Sequence, residues 1–151
     1  MLQSEKIKLN QGKFMSEKKI TTIFQHTQIG EFKGEVKTAR GSVQIGIEED
    51  ELAPYDLLLG ALASCYYATF LEIAEKKRIN FSSVEIQVTG RKKEEVPTTL
   101  EWVKLEIIVF GANVEKQKGL EQAAELAGKY CSIYQTISHV AKMEYEIQIS
   151  E

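Results

Sequence analysis

Hydrophobic and polar positions change their spacing several times along this chain, and each change marks an element. Residues 19–25 (KITTIFQ) are rich in β-branched and aromatic types and read as a strand. Gly30 marks a turn, after which residues 31–37 (EFKGEVK) alternate loosely as a second strand. Residues 42–47 alternate strictly at Val43, Ile45 and Ile47 and give a third. Three short strands in succession predict an antiparallel meander. An acidic loop, Glu48 to Glu51, leads to Pro54, which suits the first turn of a helix running from Tyr55 to Lys77 or Arg78. At helical spacing Leu58, Leu62, Cys65 and Thr69 share one face, but the other faces are scarcely more polar before Glu72. Strand alternation returns in residues 84–88 (VEIQV) and, after a polar loop with Pro97, in residues 100–110. Residues 115–130 carry Leu120, Ala123, Ala124 and Ala127 at amphipathic helical spacing, residues 131–140 suggest a second, shorter helix, and residues 144–149 close with an alternating strand.

The predicted order is βββ-α-ββ-α-(α)-β. Strands and helices are segregated, which indicates an α+β fold and not a doubly wound sheet. A helix that is apolar all round must be enclosed on all sides, and Gly60, Ala61, Ala63, Ser64 and Ala68 would let neighbouring backbones approach it closely. One curved sheet covers only part of such a helix. The simplest cover for the remainder is a second copy of the chain, so a homodimer with this helix near its interface is expected. Residues 1–17 are read as an N-terminal extension, native or preceding a start at Met15, and residues 18–151 as a single domain.

Composition narrows the function. The chain has 151 residues, 43% of them apolar and 27% charged, enough for a core without disulfide staples. A net charge of −3 argues against general nucleic-acid binding. The fifteen uncharged residues between Asp56 and Glu72 span roughly 22 Å as a helix, short of the roughly 30 Å core of a bilayer. A core helix is therefore expected and no membrane span. With no secretion pattern and only two cysteines, the expected setting is the cytoplasm.

Little in the sequence carries familiar site chemistry. His26 and His139 are far apart, and neither Cys-x-x-Cys nor His-x-x-x-His spacing occurs, so no metal site is expected. Neither a glycine-rich phosphate loop nor a Gly-x-Ser-x-Gly elbow is present. What remains is Cys65, about three turns into the long helix, and Cys131, after the amphipathic one. Both fit as small apolar core residues. Both also fit as a reactive thiol and its resolving partner, chemistry that needs positive charge near the thiolate. Arg40 is the only arginine before Cys65 and the candidate for that charge. The run Glu48 to Glu51 reads as a solvated loop, or as a flap with one member paired to Arg40. Tyr66 and Tyr67 read as packing residues first and pocket lining second, Trp102 as sheet packing, and Tyr130 and Tyr134 as candidates to line a pocket near Cys131.

Two stretches carry a resemblance. APYDLLLGALASCYYATFLEIAEKKRI resembles the central helix of the OsmC/Ohr family, the osmotically inducible and organic hydroperoxide resistance proteins, and AAELAGKYCSIYQTI resembles its second-cysteine segment. The resemblance covers roughly residues 18 to 150 and is closer to a less characterised branch than to the peroxidases. It implies an OsmC-like fold, with antiparallel sheets wrapped around a long central helix in an intertwined homodimer. It also implies that Cys65 attacks an organic hydroperoxide, that Cys131 resolves the sulfenic acid, and that an external dithiol restores both without a bound cofactor. Two positions depart from the family pattern. Tyr55 stands where the peroxidases have a glutamate, with Asp56 about 100° further round the helix, and Ser132 stands where a proline commonly follows the second cysteine. Tyr55, Asp56, Tyr66 and Tyr134 are the candidate pocket residues. The alternatives are a dimeric binding module for an apolar or thiol-bearing molecule, and a thiol–disulfide exchange protein.

Overall fold

The computed structural model describes residues 18–24 and 29–150. The predicted extension, the end of the first predicted strand and His26 lie outside them. The chain divides between Pro54 and Tyr55 into two compact units.

In the N-terminal unit, β1 (Thr21–Phe24), β2 (Gly34–Thr38) and β3 (Gly41–Ile45) form the expected antiparallel meander. β2 and β3 meet at a two-residue loop, Ala39 and Arg40. The Thr38 hydroxyl holds that loop by accepting from the backbone N–H of Arg40 (3.1 Å) and of Gly41 (3.2 Å). Gly34 admits no side chain, because a Cβ there would lie 2.7 Å from the Ile23 carbonyl oxygen. The acidic run is anchored at one point. Glu51 accepts from the Glu48 N–H at 3.0 Å and pairs with Lys33 at 3.0 Å, and its carboxyl is held below the usual range first by Lys33 and then by that N–H.

The C-terminal unit builds its core around α1 (Pro54–Lys76). The strands β4 (Ser83–Lys92), β5 (Leu100–Phe110) and β6 (Lys142–Ser150) form a sheet in the order β4-β5-β6. β4 and β5 pair as an antiparallel hairpin, whereas β5 and β6 run parallel. A parallel pair needs a crossover. It is supplied by a short 3-10 turn (Val114–Lys116), α2 (Gln117–Tyr130) and α3 (Ser132–Ser138). Asn113 caps the start of this crossover, its side-chain oxygen accepting from the Glu115 N–H at 2.9 Å. The alternation along β5 places Val103, Leu105, Ile107 and Val109 in the core. Leu120, Ala123, Ala124 and Ala127 of α2 join them.

α1 contributes the stripe Leu62, Tyr66, Phe70 and Ala74, all fully buried. This differs from the expected face: Leu58 is 38% exposed, and Cys65 and Thr69 are half-buried. A helix apolar on every side has no single face for spacing to select. The packing partners selected the stripe, and the Tyr66 hydroxyl fixes it by donating to the Ala124 carbonyl of α2 at 2.7 Å. Ala63, Ser64, Tyr67, Ala68 and Leu71 stay partly or fully exposed. By length and composition α1 would pass for a membrane-crossing helix. Its end is a Schellman turn, with Ile79 N–H bonding to the Ala74 carbonyl and Arg78 N–H to that of Glu75. Arg78 occupies the left-handed position of this turn at φ 56°.

Candidate functional site

The fold brings Cys65 of α1 to the junction between α2 and α3, where Cys131 and Ser132 lie. α2 ends at Tyr130, and Cys131 adopts an extended conformation (φ −68°, ψ 116°), closing one helix and capping the next. As a cap its sulfur accepts the Tyr134 backbone N–H at 3.4 Å, and its carbonyl accepts from Gln135 at 3.0 Å. Cys131 is fully buried, whereas Cys65 is half-buried, and neither is in a disulfide. The Sγ of Cys65 lies 3.8 Å from the Oγ of Ser132, an exposed hydroxyl.

The two thiols have different surroundings. Burial pushes the Cys131 thiol up to about 12. The Tyr134 N–H counteracts this, and a hydrogen bond and charge interaction with Cys65 add to it. The two side chains are thus electrostatic neighbours: Cys131 is a protonated, water-excluded thiol and Cys65 the one that solvent reaches. Tyr134 is nearly buried, and its ring lies 6.0 Å from that of Tyr66. Burial raises both phenols above their ordinary range.

Of the other sequence candidates, Tyr66 is a core residue with its hydroxyl committed to Ala124, so it offers no polar atom to a pocket. Tyr134 is in the core beneath Cys131, and Tyr130 is 63% exposed. Tyr55 packs against the edge of the core with the Lys92 ammonium 4.2 Å from its ring centre, and Asp56 is exposed. Both precede Cys65 by nine or ten residues on one helix, about 15 Å along its axis, so within one chain they do not reach the sulfur. Arg40 is exposed in the β2–β3 loop of the N-terminal unit. His139 caps the end of α3 and is exposed, as expected of a surface histidine. Trp102 faces outward from β5 under the Arg91 guanidinium, 5.2 Å from the ring centre. Among the described residues no group of His, Cys, Asp and Glu is arranged to hold a metal. In the sequence Ser132 stands out only as a departure from a proline pattern. Its position next to the second cysteine was the available signal.

The family model described as "OsmC-like protein" matches residues 47–146, which include both cysteines and the elements that join them. The chain belongs to the OsmC-like family. Among similar proteins, YhfA of Escherichia coli K12 is 24% identical over 120 residues, 78% of this chain and 89% of its own. A hypothetical protein from Aquifex aeolicus superimposes with a TM-score of 0.73 at 26% identity, covering 91% of this chain and all of its own. An OsmC-like protein from Mycoplasma pneumoniae gives 0.77 at 16% identity, over 91% and 99% of the two chains. The organic hydroperoxide resistance protein OhrB of Bacillus subtilis gives 0.58 at 14% identity, over 86% and 96%. These likenesses establish the α+β OsmC fold. The family includes organic hydroperoxide resistance proteins, and both thiols of this OsmC-like chain lie within the residues that the family model matches.

Proposed function

We propose that this protein is a thiol-dependent peroxidase that reduces organic hydroperoxides, with Cys65 the attacking thiol and Cys131 the resolving one. The observation that carries the reading is the unequal pair itself: a solvent-reachable sulfur beside a buried, protonated one. In the first step the Cys65 thiolate attacks the outer peroxide oxygen and the O–O bond breaks. The alkoxide that leaves takes up the proton released when the Cys65 thiol ionised and departs as the alcohol, and Cys65 is oxidised to sulfenic acid. In the second step Cys131 attacks that sulfur, the S–OH bond breaks, and the Cys131 proton leaves with the hydroxide as water. The resulting disulfide is returned to two thiols by an external dithiol. No bound cofactor enters either step. The apolar residues around Cys65 on α1 favour alkyl or lipid hydroperoxides over hydrogen peroxide.

The reading includes a cytoplasmic homodimer formed by one domain over residues 18–151. Support comes from α1, which buries one stripe in its own chain and leaves Leu58 and its small residues open to a second copy. Arg40, the only arginine before Cys65, is the candidate for the positive charge that the family resemblance implies near the thiolate.

Replacing Cys65 by Ser abolishes consumption of an organic hydroperoxide, whereas Cys131→Ser allows one oxidation and then stalls. Undiminished turnover in Cys65→Ser contradicts the proposal. One observation favours a second reading, a dimeric binding module without turnover: the residue after Pro54 is Tyr55, with its ring under Lys92 and no carboxylate to offer. In that case apolar ligands raise the melting temperature while hydroperoxide is not consumed.

A further inference from the structure

A peroxidatic sulfur must be held as thiolate at neutral pH without that support being consumed in the cycle. Cys131 does not meet this requirement. Its thiol is a weak hydrogen-bond donor and becomes part of the disulfide. Ser132, the next residue, does meet it. Its hydroxyl lies 3.8 Å from the Cys65 sulfur, within reach of a hydrogen bond to sulfur, and is a stronger donor than a thiol. The backbone that carries the hydroxyl is tied down on both sides. The Ser132 carbonyl accepts the Thr136 hydroxyl at 2.8 Å, and Cys131, just before it, is tied down by the Tyr134 N–H. Adjacent residues thus divide the work at this junction: a buried sulfur anchored to the backbone, and an exposed hydroxyl at the sulfur of Cys65.

We infer that Ser132 is a positioning residue for Cys65, donating its hydroxyl hydrogen to the thiolate and so raising the share of reactive sulfur at neutral pH. This rests on the reading of Cys65 as the attacking thiol. No proton is transferred: the Ser132 O–H bond stays intact, and the hydroxyl is present for the next turnover. The role replaces support that the helix start does not give, since Tyr55 has no carboxylate and is about 15 Å away along α1.

The test is the rate of alkylation of Cys65 by iodoacetamide in the reduced full-length protein, followed by peptide mapping across about pH 5 to 10. In Ser132→Ala the rate near neutral pH falls about tenfold, the factor carried by one hydrogen bond to a charged group. The profile moves to higher pH, and the alkaline plateau is unchanged. Ser132→Thr, which keeps the hydroxyl, stays within about twofold of the parent. Superimposable profiles for the parent and Ser132→Ala overturn the inference. So does a lowered plateau that Thr fails to restore, since that marks a purely structural role. Hydroperoxide takes no part in the assay. Failure of the peroxidase reading is therefore seen separately, as parent protein whose Cys65 is alkylated normally but which consumes no hydroperoxide.

Discussion

Raising the pH destabilises this protein through a buried thiol. Cys131 is held up to about 12 in the folded chain, against an ordinary value of 9.0. A raised acid keeps its proton in the fold while the unfolded chain releases it. The stability present below about pH 9 is therefore lost as pH rises towards about 12. Each pH unit in that window costs about 1.4 kcal/mol, so the loss is roughly 1 kcal/mol by pH 10 and at most about 4 kcal/mol by pH 12. The phenols of Tyr66, Tyr134 and Tyr145 act in the same direction and begin to contribute as pH nears their ordinary value of 10.0, so over the interval from about pH 8 to 10 the thiol's share is the difference between the parent and Cys131→Ala. Urea unfolding of the reduced protein, at fixed protein concentration, measures the loss at both ends of that interval. Cys131→Ala supplies the control: less stable throughout, but with a flatter pH dependence. An equal alkaline loss in Cys131→Ala, or no loss in the parent, refutes the assignment of a buried, protonated Cys131.

Other parts of the fold give equally direct tests. Arg78 holds the left-handed position of the turn that ends α1, at φ 56°, a conformation that glycine adopts without Cβ strain. Arg78→Gly raises stability by about 0.5–1 kcal/mol in urea unfolding, and a loss of similar size contradicts the turn assignment. Phe70 is fully buried on α1 with its ring 6.1 Å from that of Phe81, so Phe70→Ala costs about 3–5 kcal/mol, read by the same method. A cost below about 1 kcal/mol would mean that another stripe of α1 faces the core.

Elements with an unbroken period were legible in the sequence. β5 has the predicted bounds of residues 100–110, because Val103, Leu105, Ile107 and Val109 recur at every second position and bury one face, while the other face mixes Lys104 and Glu106 with Trp102, Ile108 and Phe110. β4 extends beyond residues 84–88 to Lys92, because backbone pairing with β5 carries the polar Thr89, Arg91 and Lys92, which show no hydrophobic period. The parallel pairing of β6 with β5 was not readable, since alternation reports which face of a strand is buried but not the direction of its neighbour. The same limit applied to α1, where tertiary contacts with α2 and β5 chose Tyr66 and Phe70 over Cys65 and Thr69. Both cysteines were visible as candidates. Their meeting, and the presence of Ser132 beside them, depends on the helix junction at Cys131, a local geometry that spacing does not encode.

The central claim concerns the two sulfurs. The direct measurement is the intact mass of the reduced protein under non-reducing conditions, after one equivalent of an organic hydroperoxide. A rapid loss of about two mass units, mapped to a Cys65–Cys131 link, is the predicted result. An unchanged mass, with both thiols still free, contradicts it.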